Sequence, residues 1–533
     1  MIPFVENIRK KLYEHAPSGV LANLHDELKR LSEMPHESPD YHSLKIYLKW
    51  VSELPWKDEK PIAFNSISFH HKMDAYHVGR KKLKDRLAEY FAVAGHQNSL
   101  QGMVFCFVGP PGVGKTNLAR AVAKAAGKNI IEFRVSELET EESLRGRKRE
   151  GQFPTPGKIL ESLRKVKSKG PVILLKGLDR PGSRWAVDPI NALMQLFDPA
   201  QNSAFVDHYL SFPFNLSDVL FITTALTLDD VPSTLEDRME IFQLNAYTPE
   251  EKLHIVKKHL LPQKIKSMGL NKEQIKMPGE SLTILINQYT REAGVHYLEF
   301  LLTRICRNAA YQLLDRKLKN IFVDKNLIFS VLGPRRYYAQ ARERRARPGL
   351  VTGLCWTPYG GDIMFIEVSV MPGKGNLLIT GQLGDVMRES VEIAVSFLRS
   401  EAKRFGLAIH LNHSDLHIHV PAGAIQKDGP SAGIAVMTAL FSWFHKVTVD
   451  PSTALTGEIT LRGAVMRVGA VKEKVIAAHR AGIKTIILPQ LNEQDLIEVS
   501  DEIRSQMKFI FVDSADKVLE ATLGIKYSLE KIA

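Results

Sequence analysis

The chain has 533 residues, 44% of them hydrophobic, which is enough for the cores of three or four domains. Its 71 basic against 59 acidic residues leave a net charge of +12; over this length that is modest and does not by itself argue for nucleic acid or an acidic membrane. Cys106, Cys306 and Cys355 follow no zinc or redox spacing, which points to a reducing, cytoplasmic setting, and no stretch reads as a signal peptide or a membrane span.

Residues 1–60 read as helical, with Leu21, Leu24 and Leu28 at helical spacing. From 61 to 246, apolar strands alternate with helical segments, which predicts a parallel sheet covered by helices. The strands are "MVFCFVG", "PVILLKG" and "DVLFITT". Between the first strand and the helix "KTNLARAVAKAAG" lies "GPPGVGKT", a phosphate-binding loop in its proper strand-to-helix context. Gly109, Gly112 and Gly114 let backbone N–H groups curl around phosphates. Lys115 would neutralise them and Thr116 would ligate magnesium.

Hydrolysis needs carboxylates after the next core strand, to hold magnesium and orient water. That strand ends in Lys176 and Gly177, and a lysine there competes for the place of the metal. Asp179 comes too late and is expected to cap a turn. Residues 247–332 read as all-helical, opening on a capping box of Thr248 and Glu251. A basic linker, 333–350, carries Arg335, Arg336, Arg342, Arg344, Arg345 and Arg347. A solvated bridge between domains is the expected role of so short a run.

Residues 351–533 mix strands and helices. "KDGPSAGIAVMTALF" puts Ser431 after a Gly-Pro turn and at the start of an apolar helix, where backbone amides can stabilise an oxyanion. No G-x-S-x-G motif and no histidine–aspartate pattern accompanies it, but a neutral lysine can activate a serine. In "GAVKEKVIAAHRAG", Val471, Val475 and Ala478 share one helical face and Lys474 lies on its edge, while Lys472 faces the wetter side. Burial lowers a lysine's pKa, so Lys474 is the better base. Thr456 in "TALTGEITLRG" is placed to hydrogen-bond that amine. His417 and His419 alternate with apolar residues and read as strand residues rather than metal ligands.

From about residue 40 the chain resembles the Lon family of AAA+ serine proteases, on "GPPGVGKT", "FDPAQNSAFVDHYL", "YTREAGV", "KDGPSAG", "TGEITLRG" and "VKEKVIAAHRAGIKTIILP". The resemblance implies a multidomain α/β and α chain: a helical remnant of the family's large N-terminal domain, an AAA+ domain with helical lid, and an α/β protease domain. It implies Ser431 as nucleophile, Lys474 as base and Thr456 in support, with Trp356, Glu367 and Asp428 at positions near the site. It further implies a homo-hexamer enclosing a chamber, unfolded or damaged polypeptides as substrates, no membrane, and no metal or other cofactor for proteolysis.

Departures from the family cluster in the motor. Lys176 and Gly177 replace its Asp-Glu pair, Leu226 its sensor asparagine, His296 its sensor arginine, and Gly151-Gln152 its gripping pore-loop pair, with Phe153 displaced beside them. Arg238 still matches the arginine finger. This pattern resembles the ATP-independent, C-type members, in which ATP or ADP would at most be held without hydrolysis. Two alternatives stay open: an ATP-driven Lon protease with an unusual strand end, and a DNA- or nucleotide-binding module with secondary proteolysis. The latter lacks an aromatic-interleaved basic groove and a helix-turn-helix.

Overall fold

The computed structural model describes residues 2–57, 64–97, 99–138, 140–151, 153–179, 187–337, 345–357, 360–405, 413–421, 428–499 and 501–525. The chain divides into two units, Met1–Leu244 and Asn245–Ala533.

The first unit opens with three helices, α1 (Ile2–His15), α2 (Ser18–Glu33) and α3 (Pro39–Ser52). In α2 the buried stripe is Val20, Leu24, Leu28 and Leu31, and Leu21 sits at its edge. Tyr47 on α3 donates to the Leu210 carbonyl at 2.9 Å, and Trp50 to Glu161 at 2.9 Å, so α3 is tied into the α/β body that follows. That body is a parallel sheet of β1 (Val104–Val108), β2 (Ile130–Arg134), β3 (Val172–Lys176), β4 (Leu220–Ala225) and β5 (Glu240–Gln243). Its spatial order is β2-β3-β4-β1-β5, every pair parallel. The run in β1 is apolar throughout, that in β3 up to Lys176, and that in β4 apart from Thr223 and Thr224, as in a parallel sheet covered on both faces; β1 and β4 are buried throughout, and β3 up to Lys176. Helix α4 (Lys115–Ala125) leaves the phosphate-loop sequence directly after β1.

The second unit begins with helices α5 (Pro249–Ile255), α6 (Leu261–Ser267), α7 (Gly279–Tyr289), α8 (His296–Asp315) and α9 (Lys325–Leu332). Both arms of the Thr248–Glu251 capping box are made. A two-residue parallel pairing, Ile275–Lys276 with Ile321–Phe322, interrupts what the sequence reads as purely helical. A pairing this short gives too little period-2 pattern to be seen beforehand.

A seven-stranded mixed sheet follows: β6 (Leu350–Thr357), β7 (Gly360–Pro372), β8 (Leu377–Thr380), β9 (Ser414–His419), β10 (Thr453–Leu455), β11 (Thr485–Pro489) and β12 (Lys508–Val512). The order is β8-β9-β7-β6-β10-β11-β12, with β6-β7 and β7-β9 antiparallel, and β8-β9 and β6-β10-β11-β12 parallel. One core cluster joins α10 (Asp385–Ser400), α11 (Gly433–His445) and α13 (Ala515–Leu523) to the sheet; another joins α12 (Val471–Arg480). Helix α11 is buried from Gly433 to Ser442. Each large apolar side chain so buried contributes about 1.5–3 kcal/mol, which makes α11 a firm base for the residue in front of it.

Among the described residues no helix is long and apolar enough to cross a membrane, and no cluster of three or more His, Cys, Asp or Glu is placed to hold a metal ion.

Candidate active site

Ser431 lies in the single turn Pro430–Ala432 that leads into α11. Three elements hold this turn. The Gly457 N–H donates to the Ser431 carbonyl at 2.9 Å, and the Thr456 hydroxyl reaches the same oxygen at 3.3 Å. Ser390 on α10 donates to the Pro430 carbonyl at 3.0 Å. Asp428 accepts from the Met387 N–H at 2.9 Å, so it serves the first turn of α10, and from Gly429 at 3.0 Å. Asp428 is therefore an anchor for the serine turn.

Thr456 and Gly457 directly follow β10, so the site forms where a parallel strand ends, as is general for open α/β sheets. Lys474 comes from α12. Its amine donates to Thr456 Oγ1 at 3.1 Å, and the residue is 2% exposed. Thr456 is fully buried. Because that hydroxyl spends its proton on the Ser431 carbonyl, it can only accept from Lys474. A neutral amine holding Thr456 through an N–H keeps its lone pair free for another proton. Burial pushes the Lys474 amine down to about 8; Cys355 and Glu473 oppose the shift.

Helix α12 can come this close because residue 361 is glycine. A β-carbon there would lie 2.1 Å from the Glu473 carbonyl oxygen. The sequence singled out neither Gly361, Ser390 nor Gly457, and read Cys355 only as a cysteine outside any zinc or redox spacing. The close approach of Gly361 leaves no local signal, since it depends on an element more than a hundred residues away.

Trp356 and Glu367 do not flank one point. Trp356 pairs with Gly361 and Glu367 with Leu350, six steps apart on the β6–β7 ladder, which is about 20 Å. Trp356, 46% exposed, adjoins Cys355 and so stands at the Lys474 end; Glu367 is half-buried beside His419. His417 and His419 share the Thr380 hydroxyl, at 2.9 and 2.7 Å, a network that satisfies strand residues.

In the first unit, the phosphate-loop residues Gly109, Gly112 and Gly114 lie between β1 and α4, and Thr116 is half-buried in the helix's first turn. Lys115 donates to the Gly109 carbonyl and, at 3.0 Å, to that of Pro110. Lys176 at the end of β3 forms an ion pair with Glu132 of β2 at 3.1 Å, and Arg120 of α4 grips the same carboxylate at 2.7 and 3.0 Å. Gly177 has φ +78, a left-handed conformation in which any other side chain is disfavoured, and its N–H bonds the Thr224 carbonyl at 2.9 Å. Asp179 is buried in the turn that follows.

Leu226 is half-buried, and His296 is exposed at the first position of α8. Arg238 pairs with Asp198 at 2.8 Å. Phe153 is 79% exposed with φ +56. Gln152 lies outside the described residues, as do Arg342 and Arg344 of the basic linker; Arg336 covers the Tyr297 ring at 5.5 Å.

A parallel α/β unit with a phosphate loop, a helical lid, and a mixed-sheet domain that joins a serine turn to a buried lysine define an AAA+-type chain with a peptidase-like domain. Family models agree: the AAA ATPase family over residues 105–247, the Lon protease AAA+ ATPase lid domain over 266–321, and the Lon protease (S16) C-terminal proteolytic domain over 322–524. "Lon protease 2" of Myxococcus xanthus is 44% identical over 508 residues, 95% of this chain and 61% of the relative. "Lon protease" of Anaeromyxobacter dehalogenans is 43% identical over 501 residues, 93% of this chain and 59% of the relative. "Lon protease 2" of Thermus thermophilus is 42% identical over 538 residues, 98% of this chain and 67% of the relative. The chain belongs to the Lon protease family. It spans about three fifths of the length of these first relatives.

Proposed function

We propose that this chain is a serine endopeptidase in which Ser431 is the nucleophile and Lys474 the base, and that it cleaves unfolded or damaged polypeptides without ATP hydrolysis. The observation that carries the reading is the Lys474 amine, buried, lowered to about 8 and bonded to the same threonine that braces Ser431. Ser431 Oγ attacks the scissile carbonyl carbon and its proton passes to Lys474 Nζ. The tetrahedral oxyanion collapses, the C–N bond breaks, and the Lys474 ammonium protonates the leaving amine. Water, deprotonated by the same amine, then attacks the acyl carbon; the bond from that carbon to Ser431 Oγ breaks, and the Lys474 ammonium returns the proton to Oγ, releasing the free acid.

The ATP-independent part rests on the end of β3. An ammonium ion-paired to Glu132, followed by a left-handed glycine, supplies no acceptor for a divalent cation, although Thr116 alone would suit one. ATP or ADP held on the phosphate loop would then serve assembly or gating in a homo-hexameric chamber, with the lid and sheet as scaffold. The test is cleavage of casein without nucleotide, beside a phosphate-release assay. Wild type should cleave, Ser431→Ala and Lys474→Ala should not, and phosphate release should be at background. Equal cleavage by all three proteins, or cleavage only during ATP turnover, overturns the reading.

A second reading, an ATP-driven protease, is favoured by the retained phosphate loop and Arg238 and by relatives named simply Lon protease. Steady phosphate release that stops in Lys115→Ala would establish it.

A further inference from the structure

Three consecutive residues of β7 meet two partners within the second unit. At Gly360 a β-carbon would lie 3.6 Å from the Ala293 side chain, in the turn between α7 and α8. Gly361 abuts the Glu473 carbonyl on α12, one residue before Lys474. Asp362 meets both sides. Its Oδ2 is 3.7 Å from Arg291 of the lid turn, and its Oδ1 is 3.9 Å from Arg480 at the far end of α12. Arg480 also donates to the Gly361 carbonyl at 3.4 Å, and Arg291 covers the Tyr337 ring at 5.0 Å.

The corner is rich in positive charge. Lys252 of α5 is buried and donates to the Glu292 carbonyl; burial and then Arg480 hold its amine down, to about 8, against Glu292. Burial and Arg291 lower the Arg480 pKa, while Asp362 opposes them. One carboxylate therefore separates two guanidinium groups that would otherwise repel across a partly dry contact.

We propose that Asp362 is a positioning residue for peptide cleavage: by clamping lid Arg291 and helix Arg480 to β7, it seats α12 and so fixes Lys474 against Thr456. Gly361 already touches α12, so the helix cannot move closer to β7; on loss of the clamp it can only move away. Lys474 then drifts from Thr456 and gains water. The groups facing it are Cys355 on β6, Glu473 on its own helix and the Thr456 hydroxyl, with Asp362 and Arg480 at the clamp. Deleting the Asp362 charge alone would favour the neutral amine, whereas exposure favours the ammonium. The direction of the pH shift therefore separates a moved helix from a merely missing charge.

The inference rests on the proposed peptidase reading. Wild type and Ser431→Ala are assayed first on a fluorogenic peptide; if they do not differ, that reading has failed and the clamp is not at issue. Given that difference, Asp362→Asn should lower kcat about tenfold to a hundredfold with KM nearly unchanged, a loss typical of displaced catalytic groups. It should also move the rising limb of the pH profile upward, and Asp362→Glu should restore both. Arg291→Gln, which leaves the Asp362–Arg480 pair in place, should shift the limb the same way by a smaller amount. Should Asp362→Asn fold poorly, Arg291→Gln carries the test alone. An unmoved or lowered limb in both variants, with activity following only thermal stability, overturns the proposal.

Discussion

Two lysines, one in each unit, end in opposite chemical situations. Lys176 is 31% exposed at the end of β3 and has a carboxylate 3.1 Å away, itself gripped by Arg120. Lys474 is 2% exposed, and its hydrogen bond goes to a hydroxyl. A neutral partner under burial favours the free amine of Lys474. The same residue type is thus half of an ion pair in one unit and, on the proposed reading, a base in the other. The difference lies in what each strand end offers: Glu132 and Arg120 beside β3, Thr456 and Gly457 after β10.

The comparison breaks most directly at Lys474. Lys474→Met should reduce peptide cleavage by about a thousandfold or more, as loss of a nucleophile's activator does. The same variant should be more stable at neutral pH. The amine falls from 10.5 to about 8 on folding, so between those values the unfolded chain binds more protons and stability rises with pH. Below that window the full penalty applies, about 3 kcal/mol for a shift of that size. A melt at pH 7 in which the variant is no more stable would mean that the folded chain solvates the ammonium well. The pH profile of the wild type gives the next largest effect. Cleavage should climb about tenfold per unit below pH 8 and level off above, leaving about 1% of the plateau at pH 6. A flat profile between 6 and 8 would remove Lys474 from the role of base. Thr456→Val should cost about five- to a hundredfold in kcat, the range for stranding a buried polar partner, with the limb of the profile shifted as well.

Much of this contrast was legible beforehand, and unevenly so. Ser431 and Lys474 stand out because a Gly-Pro turn before an apolar helix and a lysine on the edge of an apolar face are local patterns. Thr456 was legible for the same reason, being the last step off a short apolar strand. What holds them was not. Ser390, Gly457 and Gly361 act through contacts spanning 26 to 119 residues of chain, and a lone glycine or serine carries no mark of so distant a partner. The resemblance put Trp356 and Glu367 at positions near the site without saying how they lie to each other; the antiparallel register of β6 and β7 sets them six steps apart on the ladder. In the first unit Lys176 read as an intruder on a metal's place, but Glu132 two positions up the neighbouring strand turns it into half of an ion pair. Only register could reveal that, since Arg134, not Glu132, stands directly opposite Lys176.

The smallest expected effect sharpens the comparison from the other side. Lys176→Met should cost about 0.5–1 kcal/mol of stability in the first unit, the usual worth of a partly exposed pair, because Arg120 keeps its grip on Glu132. Glu132 is held below the ordinary carboxylate range, first by Arg120 and then, against partial burial that raises it, by Lys176. Its contribution is therefore present above the unfolded carboxylate pKa and is lost as pH falls through the lower folded value. The difference between wild type and Lys176→Met should fade in acid and shrink with salt. Peptide cleavage should be unchanged, since the ammonium does no chemistry at β3. If the variant instead loses cleavage while its melting temperature holds, Lys176 is more than an ion-pair partner, and the two lysines belong to one mechanism.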